Sequence, residues 1–238
     1  MSDSESGQCA AIVVAGGMGV RMGAGLPKAL MPIAGRPLAA WCLEALTHSD
    51  RISRLILVVP AGYESQCVDV LGCAPGDVVT GGTTRAESVA CGLNALGDGH
   101  ALVLVHDAAR PLLDPDLVCA VIDGVGAASG AIAAAPLTDT PKRVGSDHRI
   151  TETLGRDDLW GAQTPQVFDR VILQAAIDAA IAEGRLDRAT DCASLVEQAG
   201  GHVVVVPSLR PNVKVTTPGD VRLVELLLAD PDRFVPVT

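Results

Sequence analysis

Residues 15–22 form a glycine-rich loop, Ala15-Gly16-Gly17-Met18-Gly19-Val20-Arg21-Met22, which follows an apolar run at 10–14 and leads to Leu26-Pro27-Lys28. Glycines let a backbone turn tightly and bring its N–H groups against an anion with no Cβ in the way. Arg21 and Lys28, on the far limb, are placed to meet a polyphosphate from the side opposite the amides. Two familiar phosphate loops fail on spacing. A G-x-G-x-x-G fingerprint needs glycine where Met22 stands, and the second strand ends Val58-Val59-Pro60 without an acid. A Walker A loop needs Gly-Lys followed by Ser or Thr, and the chain has no Gly-Lys pair.

A second group of polar residues, His106-Asp107-Ala108-Ala109-Arg110-Pro111, stands where another apolar run ends. In parallel sheets ligands gather outside the carboxyl ends of the strands, so Asp107 and the glycine loop should share a rim. A carboxylate there suits Mg²⁺, which takes one or two protein oxygens and leaves its other positions to phosphates and water. Arg110 suits a phosphate, and His106 reads as a packed core histidine. The segment Gly81-Gly82-Thr83-Thr84-Arg85-Ala86-Glu87-Ser88 is a further glycine turn opening a helix, and its backbone and Ser88 hydroxyl can read a base edge. It is equally an ordinary helix cap. Lysine occurs only at Lys28, Lys142 and Lys214 among 18 basic residues, which marks these positions for a compact point charge. Lys214 falls in Asn212-Val213-Lys214-Val215-Thr216, which reads as a short strand entering a capped helix.

The elements that must position these residues follow from periodicity. Runs at 10–14, 55–59, 101–105, 131–135 and 203–206 are Val-, Ile-, Leu- and Ala-rich without alternation, as in strands buried on both faces, and 77–80 adds a short one. Helix-period stretches lie at 38–47, 85–96, 116–125, 170–182, 191–198 and 219–228. Alternating strands and helices predict an α/β fold: a mostly parallel twisted sheet with helices on both faces, within a single domain spanning 1–238. The rhythm fails at 136–167, where a turn at Gly145-Ser146-Asp147 separates two short extended pieces. This predicts a projecting β-hairpin arm that pairs with a second subunit.

Composition narrows the function. A formal charge of −10 repels a phosphate backbone, and 2% aromatic residues leave few rings for stacking, so nucleic acid is excluded as a partner. No apolar run approaches the roughly 20 residues that span a bilayer, so no membrane is expected. Residues 1–8 are polar and acidic, unlike a signal peptide, and read as a loose tail. Seven cysteines without a C-x-x-C pair read as small buried hydrophobes in a reducing, cytoplasmic setting.

Together, residues 15–22 with Pro27-Lys28, residues 81–89 and 106–111, Asp139-Thr140 with Lys142, Thr164-Pro165-Gln166, Thr190-Asp191 and residues 212–216 resemble the 2-C-methyl-D-erythritol 4-phosphate cytidylyltransferases, over nearly the whole chain. The resemblance implies a homodimeric, Rossmann-like nucleotidyltransferase fold. It implies Mg²⁺-dependent transfer of CMP from CTP to 2-C-methyl-D-erythritol 4-phosphate with release of pyrophosphate. On it, Arg21, Lys28 and Lys214 surround the phosphates as the catalytic groups, and Asp107 supports the metal. Ala15, Gly16, Gly17, Gly19, Gly82, Arg85 and Ser88 belong with Asp107 to the nucleotide site. Arg110, Thr140, Arg156, Thr164 and Thr190 hold the acceptor, some of them across the dimer. Gly16 stands where many relatives carry alanine, and Thr83-Thr84 where an acid often lies beside the base, which leaves cytosine's amine to backbone carbonyls. A sister transferase for ribitol phosphate would keep the glycine loop and Asp107 and change the acceptor residues. A dehydrogenase is disfavoured by the failed fingerprint, and a non-catalytic CTP sensor by the retained lysines and Asp107.

Overall fold

The protein, described by a computed structural model, is defined for residues 9–18 and 26–230. Gly19 and Arg21 of the glycine loop, and the tail expected at 1–8, lie outside the described residues. The chain runs β1 (Cys9–Val14), a 3₁₀ turn (Lys28–Leu30), β2 (Pro32–Ile33), β3 (Arg36–Pro37), α1 (Leu38–Thr47), β4 (Ile52–Val59) and α2 (Glu64–Leu71). It continues through β5 (Val78–Thr80), α3 (Arg85–Leu96), β6 (Leu102–Asp107), α4 (Pro115–Gly124) and β7 (Gly130–Pro136). The last part holds β8 (Lys142–Val144), β9 (Ile150–Thr153), β10 (Trp160–Asp169), α5 (Arg170–Ala182), α6 (Cys192–Gln198), β11 (Val203–Pro207) and α7 (Pro218–Ala229).

Seven strands form one sheet in the order β11-β7-β10-β6-β1-β4-β5. Every pairing is parallel except those of β10, which runs antiparallel between β6 and β7. Successive side chains of a strand point to opposite faces, and β1 serves both. Ala11 and Val13 pack with α1 and α4, while Ala10 and Ile12 pack with α3, α5 and α6. Burial on both faces is why the inner strands read as unbroken apolar runs. The run at 203–206, expected to be buried in the same way, lies in the edge strand β11 instead, and Val205 is 45% exposed.

Two further expectations change. Residues 136–167 do not project as a unit: Pro136 ends β7, and Trp160–Asp169 is an inner strand of the sheet. Only the piece around the β8–β9 hairpin stands away, with all seven of its strand residues exposed. No strand forms at Asn212–Thr216; that segment is irregular and held by specific bonds. Thr217 then caps α7 through a capping box with Asp220, whose carboxylate also accepts from the Thr216 amide and hydroxyl at 2.7 Å each.

Close packing of α3 on the sheet depends on Gly92. A Cβ there would stand 2.6 Å from Ile12 Cγ2 and 2.9 Å from Val58 Cγ2, both buried. Gly92→Ala is therefore expected to destabilise the fold by about 1–3 kcal/mol in urea unfolding, despite alanine's better helix propensity. A stabilised variant would show that α3 shifts freely.

The cysteines are all free; Cys9, Cys42, Cys67 and Cys192 are buried, but Cys73, Cys91 and Cys119 are half-buried, contrary to a uniformly buried set. Burial pushes the Cys9 and Cys42 thiols up to about 12 from an ordinary value of 9.0. Above the ordinary value the unfolded thiols ionise and the folded ones do not. Their contribution to stability is thus full below pH 9 and is lost as pH rises towards 12. Alkylation of the native protein at pH 8 should spare Cys42 while modifying Cys73, and equal rates would contradict this.

Candidate active site

The rim at the carboxyl ends of β1 and β6 holds a cleft of about 340 Å³. Gly16 and Gly17 line it after β1, Gly82 lines it from the turn before α3, Ser88 from the first turn of α3, and Asp107 closes β6. The loops are fastened to the sheet by the Ala15 amide on the Val58 carbonyl at 2.7 Å and the Ala108 amide on the Val14 carbonyl at 3.0 Å. A capping box fixes the α3 turn: Thr84 accepts from the Glu87 amide, and the Glu87 carboxylate accepts from Thr83 and Thr84. Gly82 has to be glycine, because a Cβ would lie 2.3 Å from that of Glu87. The Ser88 hydroxyl donates to the Thr84 carbonyl at 2.9 Å, which leaves its oxygen as an acceptor at the cleft.

Charge is concentrated on one wall. Asp107 is 7% exposed and pairs with both Arg85, Nε to Oδ1 at 2.8 Å, and Lys214, Nζ to Oδ2 at 2.6 Å. Burial by itself would raise the Asp107 carboxyl, but Arg85 and Lys214 overcome it and hold the group well below the usual carboxylate range. Burial would lower the Arg85 guanidinium, yet Cys192 and Asp107 beside it bring it out above its ordinary value. Among the described residues Asp107 is the sole acid lining the cleft, and no cluster of three or more His, Cys, Asp or Glu suited to a metal occurs. Each carboxylate oxygen keeps a lone pair beyond its bond to a cation. One ionised carboxylate beside a glycine-rich loop fits Mg²⁺ carried mainly by substrate phosphates.

Lys28, at the start of the 3₁₀ turn, lines the same cleft, and its ammonium donates to the Val215 carbonyl. Lys28 and Lys214, far apart in sequence, thus meet on one segment. That segment is pinned by the Val215 amide on the Ala109 carbonyl at 2.8 Å and by Arg110 Nη1 on the Asn212 carbonyl at 2.6 Å.

A smaller cavity of about 200 Å³ adjoins the cleft and shares Arg85, Asp107 and Lys214 with it. Arg110, Thr164 and Thr190 line it, as the sequence predicts for the acceptor. Thr164 is only 3% exposed, however, and its hydroxyl faces inward. It accepts from the Asp107 amide at 3.1 Å and lies 3.1 Å from His106 Nδ1, while His106 Nε2 lies 3.0 Å from the Arg110 carbonyl. Burial draws the imidazole down to about 4, so it is neutral, donating through Nε2 and accepting at Nδ1. His106, set aside as a packed core residue, therefore braces the turn that carries Asp107 and Arg110.

Thr140 and Arg156 line neither cavity. Both sit at the base of the β8–β9 arm, where Arg156 donates to the Thr138 carbonyl. Four residues absent from the sequence-based site, Gln163, Gln166, Asp191 and Asn212, tie the wall of the smaller cavity together. Asn212 donates to Gln163 at 3.0 Å and to the Thr164 carbonyl at 2.8 Å, and Gln166 donates to Asp191 at 2.8 Å. Their signal in the sequence is a polar residue inside an otherwise strand-like segment, which is weak until the fold buries it.

Comparison with known proteins identifies the family. The family model described as 2-C-methyl-D-erythritol 4-phosphate cytidylyltransferase matches residues 9–230. A protein of that name from Synechocystis sp. is 39% identical over 222 residues, 91% of this chain and 95% of its own length. Another from Frankia casuarinae is 41% identical over 233 residues, covering 94% of this chain and 82% of the relative. The crystal structure of 4-diphosphocytidyl-2C-methyl-D-erythritol synthase from Anaerococcus prevotii superposes with a TM-score of 0.81 at 29% identity, covering 94% and 99% of the two chains.

Proposed function

This chain belongs to the 2-C-methyl-D-erythritol 4-phosphate cytidylyltransferase family, and we propose how its residues carry out the family's reaction, transfer of CMP from CTP to 2-C-methyl-D-erythritol 4-phosphate with release of pyrophosphate. The observation that carries the reading is the pair of adjoining cavities with one cationic wall, Arg85-Asp107-Lys214, between them. The donor occupies the larger cavity, with its triphosphate along Gly16, Gly17 and Lys28. The Ser88 oxygen and the Gly82 carbonyl are acceptors suited to cytosine's exocyclic amine. The acceptor's phosphate lies in the smaller cavity near Arg110.

An oxygen of the acceptor phosphate forms a bond to the α-phosphorus of CTP as the bond from that phosphorus to the pyrophosphate oxygen breaks. No general base is required, because the attacking phosphate is already ionised. The chain's task is to hold two polyanions in line and to meet the charge gathering on the α-phosphate and pyrophosphate. Lys28 faces the leaving side, where the resemblance also puts Arg21, and Lys214, oriented by Asp107, faces the attacking side. Mg²⁺ held beside Asp107 would supply further neutralisation of the phosphates when bound.

The β8–β9 arm pairs with a second copy of the chain in this reading. It exposes Val144 at 54% and Ile150 at 62%, and a two-stranded hairpin alone is marginal in water. Pairing would bring Thr140 and Arg156 to the partner's acceptor cavity. A cytoplasmic setting accords with seven unpaired thiols. The test is pyrophosphate release from CTP and Mg²⁺ with 2-C-methyl-D-erythritol 4-phosphate and ribitol 5-phosphate as competing acceptors, and ATP, GTP and UTP as alternative donors. Turnover confined to CTP with the branched acceptor is expected, and preference for ribitol phosphate would overturn the acceptor assignment.

A further inference from the structure

Arg85 stands in an unusual place. It is the first residue of α3, where the helix dipole disfavours a cation, and its guanidinium is largely buried. Its three nitrogens face three different ways. Nε bonds Asp107 at 2.8 Å, and Nη1 lies 3.5 Å from the Sγ of Cys192. Nη2 is buried with no partner among the described residues. Cys192 is the first residue of α6, directly after Thr190 and Asp191 of the acceptor cavity, and is 1% exposed. Arg85 also lines both cavities. One planar fork thus ties the helix that borders the nucleotide to the carboxylate that holds Lys214 and to the wall of the acceptor cavity.

We infer that Arg85 is a positioning residue that couples the two halves of the site, setting the acceptor wall through Cys192 and the Asp107–Lys214 pair through Nε, rather than acting chiefly as a nucleotide ligand. The inference rests on the two-cavity reading of the transferase. A lysine in its place keeps the charge but offers a single point donor, which cannot span Asp107 and Cys192 together. Cys192 gives an independent handle. Serine there keeps an acceptor for Nη1, while valine fills the space and removes it.

The experiment is steady-state kinetics of the full chain with Mg²⁺, varying CTP and 2-C-methyl-D-erythritol 4-phosphate separately, for the parent, Arg85→Lys, Cys192→Val and Cys192→Ser. Arg85→Lys should raise the KM for the acceptor by about tenfold and lower kcat, while the KM for CTP stays within about threefold. Cys192→Val should raise the acceptor KM several-fold in the same sense, and Cys192→Ser should return it towards the parent. A rise confined to the KM for CTP, or Cys192→Val and Cys192→Ser behaving alike, would overturn the coupling role. The Cys192 pair decides the matter if Arg85→Lys fails to fold. Absence of turnover in the parent would instead count against the underlying transferase reading.

Discussion

Replacing Lys28 with alanine is expected to slow pyrophosphate release by about 10²–10³-fold, the usual cost of removing one preorganised group from developing charge. Lys28 lines the larger cleft next to Gly17, whose carbonyl accepts from the Lys28 amide at 2.9 Å, so its backbone moves with the glycine loop. Its ammonium rests on the Val215 carbonyl, one residue from Lys214. Binding a triphosphate offers the ammonium a charged acceptor, and charge-assisted bonds are about twice as strong as neutral ones. The effect should therefore appear mainly in kcat, with a smaller change in the KM for CTP. Lys28→Arg should recover only part of the rate, because a fork does not reproduce a compact charge at that spot. Rapid-quench measurement of the chemical step checks both, and an alanine variant that folds with unchanged turnover would remove Lys28 from the mechanism.

The sequence made some of this legible and hid the rest for physical reasons. Parallel strands buried on both faces leave unbroken apolar runs, so β1, β4, β6 and β7 stand out, and the strand-end rule places Asp107 beside Gly16 and Gly17. The strand β10 is invisible by that criterion, since its buried Thr164 and Gln166 are polar and make hydrogen bonds inside the sheet. The register of β10 on β7 shifts between Ala162 and Gln166, and the intervening residues turn Thr164 towards His106. Bulges of this kind commonly re-aim side chains near a site. The helix α2 buries only Cys67, too little to leave a clear period. Pairing is what sequence cannot record: Thr164 meets His106 because the sheet order sets β10 beside β6, and Lys214 meets Asp107 because its segment is bonded to the turn after β6.

Asp107→Asn should produce the largest combined loss of stability and activity. The asparagine keeps the volume but removes the charge that holds Arg85 and Lys214, and breaking a buried pair costs about 3–5 kcal/mol because the partner is left uncompensated. Here two cations lose their anion, and the amide group can accept through its oxygen alone. Lys214 is 43% exposed and can turn to water, whereas Arg85, at 24%, has no such escape, so most of the cost falls on Arg85. Urea unfolding of the free protein measures that cost. Turnover should fall further than stability explains, since Lys214 is no longer directed at the reacting phosphates and the proposed metal loses its protein oxygen. Pyrophosphate offers the two stranded cations a replacement anion, so it should raise the melting temperature of the variant more than that of the parent. An equal rise in both proteins would mean that Arg85 and Lys214 do not face the phosphate site, and the shared cationic wall would then have no part in the reaction.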